Sequence, residues 1–295
     1  MPRTKGARKP PSATRLREAL PLLPFLAVVV VFLVIPTVTV IVNAFRDTEA
    51  DGAFSLARVE ALFSSTALAA LWKSVLLSGS TAIIGAVLGA VLAWLIVSSP
   101  GTSMVRRAVI ALCSVLAQFG GVALAFAFLA TVGLNGVLTL WVQQAFGANL
   151  AGSGWLYSLS GLILVYTYFQ IPLMVIVFVP ALEGLRDQWR EAALSLGASR
   201  WQYFREVAVP LLSPAFLGSA LLLFANAFAA YATAAALVSQ GSPIVPLLIR
   251  SALTSEVVLG QAGFAYALAL EMIVVVAVVM AAYNALVRRS ARWLR

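Results

Sequence analysis

Histidine is absent from this 295-residue chain, and cysteine occurs once, at Cys113. Without histidine the commonest metal ligand and general base are missing, and a single thiol can form neither an internal disulfide nor a cysteine-based metal site. Charge is scarce as well: 11% of residues are charged, against roughly 25% in a soluble globular domain. The three aspartates, Asp47, Asp51 and Asp187, all fall between the apolar runs, and Lys73 is the only lysine beyond the N-terminal arm. Neither an aspartyl pair nor a serine–lysine dyad can be assembled at membrane depth, which counts against an intramembrane enzyme. No GxxxxGK[ST] phosphate loop is present, so the chain cannot be its own ATPase.

What the chain has is apolar length. Hydrophobic residues make up 62% of it, more than a soluble core can use, whereas lipid solvates helices that are apolar all round. About 20 such residues cross a hydrocarbon core of about 30 Å. Six runs meet that length, at residues 20–42, 75–97, 108–133, 157–179, 211–238 and 264–287. The expected fold is therefore all-α, a polytopic membrane protein of six transmembrane helices. Its expected parts are a basic tail over 1–19, a first helix and outer loop over 20–74, a core over 75–287 and a second basic tail over 288–295.

The basic residues orient these spans, because lysine and arginine are retained on the cytoplasmic side. Sixteen of the twenty lie in the N-terminal arm, the second connection (Arg106, Arg107), the fourth (Arg186, Arg190, Arg200, Arg205) and the C-terminal tail. Both termini and the fourth connection are expected in the cytoplasm. The net charge of +9 reads as this topology signal together with contact to anionic lipid, and calls for no nucleic acid. The apolar run after the arm is too long for a signal-peptide core, so it is read as a retained first helix.

Within the spans, Gly85 and Gly89 form a GxxxG pair suited to close helix packing. Gly120 and Gly121 mark either close packing or a local kink, and Pro172 interrupts the fourth span beside Gln170. Polar groups at membrane depth usually face the protein interior or an aqueous path. Gln118, Gln170, Asn226 and the acid Glu271 are the candidates for a translocation path, each weighed against a structural hydrogen-bonding role. Among the outer connections, residues 137–146 with Trp141 suit a short interfacial helix. The fifth connection, with Pro243, Pro246 and Arg250, is too short and interrupted to span and could fold back over an external opening.

The fourth connection is the informative one. Its charges are nearly balanced, Ala192 and Ala193 are small strong helix formers, Gly197 suits a stop or turn, and Ser199 can cap a second short helix near Arg200. Pro210 is placed at the start of the next span, where a missing N–H costs least. The order Glu191-Ala192-Ala193, three residues, Gly197, then Val207, Val209 and Pro210 resembles the EAA loop of the permease subunits of binding-protein-dependent ABC importers, with Val207 and Val209 in place of Ile and Leu. Trp189, Arg190 and the run from Leu196 to Ser199 also look like that family.

The resemblance implies a bacterial inner-membrane permease that transports by alternating access, with partners of four kinds: ATPase subunits, a second permease copy or chain, an external substrate-binding protein and the lipid bilayer. It implies a coupling helix between spans four and five, with Arg190, Glu191, Ala192, Ala193, Gly197, Val207, Val209 and Pro210 serving ATPase docking. No cofactor is expected in this chain, ATP and Mg being bound by the partner ATPase. Residues 224–237 look most like the polyamine, aminoethylphosphonate, iron and sulfate branch, and a mildly acidic outer loop with Glu271 would suit a polyamine or another charged solute. The rival reading is a secondary transporter or channel, for which the spans offer no ion ladder and no visible inverted repeat.

Overall fold

The computed structural model describes residues 23–46, 54–99, 104–148, 152, 154–238, 244–254 and 261–291. The N-terminal tail, the acids at 47–51 and the last four residues of the chain lie outside them. Among the described residues the fold is all-helical, and six helical stretches are long and apolar enough to cross a membrane, one of them, Gly121–Phe146, being interrupted between Val132 and Val137. The first, α1 (Leu23–Ala44), is exposed along nearly its whole length, with Ala44 its one fully buried residue. One side of it meets the last helix, α12 (Gln261–Ala291).

At the centre lie α2 (Ser65–Ser98) and α6 (Leu159–Glu183), the most extensively packed pair. Lipid tails are as apolar as leucine, so helices associate in a bilayer through close packing rather than hydrophobic gain. Gly85 and Gly89 supply that closeness. A Cβ built on Gly85 would stand 2.7 Å from Gln170 Cβ, and one on Gly89 would stand 2.5 Å from Met174 Cβ and 2.7 Å from the Ile171 carbonyl oxygen. Two side-chain clusters flank this seam, one at the end where α3 (Met104–Gln118) packs and one at the opposite end with α4 (Gly121–Val132). The fifth long helix, Arg200–Ala229, whose main part is α9 (Val209–Ala229), packs on α2, α6 and α12.

Three expectations from the apolar runs are corrected. The second span begins at Ser65 rather than residue 75, so the expected division of the chain at 74/75 cuts a helix. Ser64 accepts the N–H of Ala67 at 3.3 Å as an N-cap, and Ala67 and Ala70 are buried by protein, not lipid. At 1.5 Å per residue the helix is about 51 Å long, well beyond a hydrocarbon core of about 30 Å. It stops at Ser99, extended at φ −78° and ψ 151°, as a residue before proline must be.

The expected third span, 108–133, is two helices. Of the two readings of the glycine pair the kink is the correct one, taken to a full break: α3 ends at Gln118, and Gly121 opens α4 at φ +67°, a conformation other residues adopt only at a cost. The expected fifth span, 211–238, is broken as well. Its helix ends at Ala229, and after Ala230 a six-residue helix, α10 (Ala232–Leu237), follows.

The third and fifth connections each carry a short helix, the first of them expected from the sequence. One is α5 (Val137–Phe146), closed by Gly147 at φ +68°. The other is α11 (Val245–Thr254) in the fifth connection, whose first N–H is capped from another helix: Ser74 Oγ of α2 accepts from Val245 N at 2.8 Å. A buried helix start needs such a partner.

Candidate docking and translocation sites

The fourth connection folds as α7 (Asp187–Ser195), a tight turn, and α8 (Arg200–Tyr203). No residue of either short helix is buried. Asp187 stands in the first turn of α7, where a carboxylate complements the helix dipole, and Arg190 reaches back to it at 3.3 Å. The guanidinium of Arg186 lies 6.0 Å from the centre of the Trp189 ring.

The turn is a Schellman closure. The Gly197 N–H donates to the Leu194 carbonyl, and the Ala198 N–H donates back to that of Ala193, both at 3.0 Å. Gly197 has φ +85°, which is why glycine stands there. Ala193 thus supplies the carbonyl that locks the turn. A capping box then starts α8: the Gln202 N–H donates to Ser199 Oγ at 3.2 Å and the Ser199 N–H to Gln202 Oε1 at 2.7 Å.

The segment therefore presents a rigid two-helix projection. Glu191 and Ala192 are on its open surface and Ala193 is half-covered. Its most prominent groups are apolar: Leu196 is 88% exposed and Trp201 66%, with the Trp201 and Phe204 rings stacked 5.8 Å apart. Sequence reasoning took Leu196 only as part of a family-like run and missed Trp201 and Phe204. The signal available was large apolar side chains inside a charged, solvated connection.

Pro210 does not start a span. The helix runs unbroken from Arg200 to Ala229, with a π-turn over Phe204–Ala208 in which the Val209 N–H donates to the Phe204 carbonyl, five residues back. Proline has no N–H and crowds the carbonyl four residues before it, and the wider turn accommodates both. Val207, Val209 and Pro210 lie at this turn, about 10 Å or more along the helix from Arg200 at 1.5 Å per residue. They are set back from the tip of the projection.

The four path candidates divide. Gln170 is fully buried, and its Nε2 donates to the Leu223 carbonyl at 2.8 Å, tying α6 to the following long helix beside Gly85. This bond joins the two helices, while Gln170 Oε1 has no hydrogen-bond partner among the described residues. Gln118 is exposed as the last residue of α3, and Asn226 is exposed one turn before the long helix ends. Glu271 is half-buried in α12, and its Oε2 has no hydrogen-bond partner among the described residues.

The two helix breaks meet. Thr233 Oγ1, just past one break, donates to the Gly121 carbonyl, at the other, at 3.2 Å, and Tyr166 Oη donates to the Ala230 carbonyl at 2.6 Å. Tyr166 is seven residues past the start of α6, so the breaks lie about 10 Å along that helix from its first residue. Phe119 and Tyr231 beside them are exposed. Non-helical backbone at membrane depth is tolerated only where protein covers it or water reaches it.

Residues 124–292, more than half of the chain, match the family model described as "Binding-protein-dependent transport system inner membrane component". The chain belongs to this family. Among its relatives, the sulfate transport system permease protein CysW of Escherichia coli K12 is 31% identical over 162 residues, which are 54% of this chain and 52% of that protein. The molybdenum transport system permease protein ModB of the same strain is 30% identical over 175 residues, 57% of this chain and 72% of ModB. Most of the relatives are matched over about half their length or less. Among solved structures, a bacterial ABC transporter involved in alginate import has the same fold, with a TM-score of 0.75 at 18% identity over 94% of this chain and 96% of that one. The MetNI methionine ABC transporter aligns with a TM-score of 0.56 over 76% of this chain.

Proposed function

We propose that this chain is the permease subunit of an ATP-driven importer, which it forms with a second permease (a copy or a different chain), two ATPase subunits and an external substrate-binding protein. The observation that carries this is the projection built by α7, Gly197 and α8: an exposed, apolar-tipped, internally capped knob in the connection that matches the EAA spacing. Its size and rigidity suit a groove on a soluble partner. Hydrolysis of ATP, with its Mg, belongs to that partner, and the chain contributes no catalytic residue.

The path in this reading runs past the two latched breaks. Gln118 and Asn226 line it from the ends of α3 and the fifth long helix, Glu271 lines it or an interface near it, and Gln170 holds the helices around it. Both termini and the projection face the cytoplasm, as the arginine distribution favours. The cargo is a small charged solute. The relatives' names specify sulfate, molybdenum, thiamine and ferric permeases, which favours that class without favouring the polyamine that the outer-loop acids suggested.

The test is co-purification of the ATPase with the permease. Leu196→Asp and Trp201→Ala alter exposed groups, so yield and melting temperature stay at the parent level while the ATPase is lost from the complex. Full retention of the ATPase by both variants would rule out docking at this knob.

A further inference from the structure

Glu183 is the last helical residue of α6, four positions before α7 begins, and its carboxylate is ion-paired to the guanidinium of Arg106 near the start of α3. The Arg106 side chain is only 14% exposed although charged, while Glu183 is 48% exposed. A charge is held that deeply when a partner fixes it. From this pair α3 runs along α6, with Cys113, Val109 and Ile110 packed among Phe178, Val179 and Leu182. Over its 15 residues it is a rod of about 22 Å. Its far end is the Gly120–Gly121 break, where the chain can pivot and where Thr233 is bonded.

We infer that the Arg106–Glu183 pair is a positioning link through which movement of the docking segment is carried along α3 to the helix break lining the path. The inference rests on the importer reading above. The physical warrant is the arrangement: a polar link at the root of the projection, a rigid rod, and a two-glycine hinge at the other end. No covalent bond joins α3 to α7 directly, and the ion pair adds a directional polar contact at the root of the docking segment to the apolar packing of α3 on α6.

The test uses the complete complex in lipid nanodiscs, with Gln118→Cys as a reporter in a Cys113→Ala chain and a membrane-impermeant maleimide as probe. Modification is timed without nucleotide and after trapping with ATP, Mg and vanadate. Trapping is expected to change the parent rate by at least about fivefold, in the range of ordinary allosteric couplings. Glu183→Gln keeps the ATPase bound but removes most of this response, and the exchanged pair Arg106→Glu with Glu183→Arg restores it.

The inference is overturned by an undiminished response in Glu183→Gln, by no response in the parent, or by an exchanged pair that stays silent. Loss of the ATPase from Glu183→Gln alone would also overturn it, by placing Glu183 in the docking contact itself. Absence of ATPase from the parent complex is a different result, because it removes the importer reading.

Discussion

Single residues in this chain act mainly by how much space they leave. Gly89 and Gly79 lie on the same helix and look alike in sequence, yet a Cβ on Gly89 would press on Met174 and Ile171, whereas one on Gly79 would meet nothing within 4 Å. Gly89→Ala is therefore expected to destabilise the purified permease by about 1–3 kcal/mol through overpacking, while Gly79→Ala leaves it unchanged or slightly firmer. Thermal unfolding in detergent compares the two, and equal melting temperatures would contradict the packing seen at Gly89. The GxxxG spacing of Gly85 and Gly89 pointed to this seam from the sequence. The partner did not show, because Gln170 was read as a path candidate and only the structure reveals its bond to Leu223. A buried amide and a path amide have the same letter.

At the scale of elements, hydropathy located the apolar runs and was blind to their ends and breaks. Val137–Phe146 and the turn at Gly197 were legible because their signals are local: an uncharged amphipathic stretch, and a glycine after a helix former. The start at Ser65 was not, since the first turns of α2 contain Lys73 and hydroxyl residues that lower hydropathy without opposing a helix. The end at Ala229 was also hidden. No glycine or proline marks it, and the freed carbonyl of Ala230 is satisfied by Tyr166, distant in sequence.

The setting of Pro210 is hidden from the sequence for a related reason. Pro36 and Pro210 each stand two residues after a π-turn, and in both turns the residue before the proline donates five residues back, Ile35 to Val30 and Val209 to Phe204. Pro172, Pro180 and Pro214 stand inside α-helix without such a turn, so the π-turn accompanies proline at these two positions and is not a general consequence of it. With Pro210→Ala the turn is free to regularise, and removal of one residue's worth of winding re-aims α8 by about 100° at 3.6 residues per turn. ATPase association is expected to weaken on the order of tenfold, a change of about 1.4 kcal/mol, with no loss of melting temperature. An ATPase titration at fixed permease measures it, and unaltered affinity would detach the proline from docking.

For the molecule as a whole, the arginine distribution and the helix geometry give two independent views of sidedness. The charge argument puts the second and fourth connections on one side of the bilayer. The ion pair of Arg106 with Glu183 joins those same two connections, so they share one end of the helix bundle, while Ser74, Ala67 and Ala70 hold α11 at the opposite end. Geometry fixes which connections are together, and the proposed orientation takes from the charge argument that this end is the cytoplasmic one. In a Cys113→Ala chain, Ser195→Cys in α7 and Thr66→Cys in the first turn of α2 should therefore label from opposite sides of intact cells. Both parent residues are exposed. An impermeant maleimide added outside is expected to reach position 66 at once and position 195 only after the membrane is opened. The reverse pattern would invert the orientation and place the projection where no ATPase can reach it. Labelling of both positions from one side would instead mean that α2 and α6 do not run side by side through the same membrane.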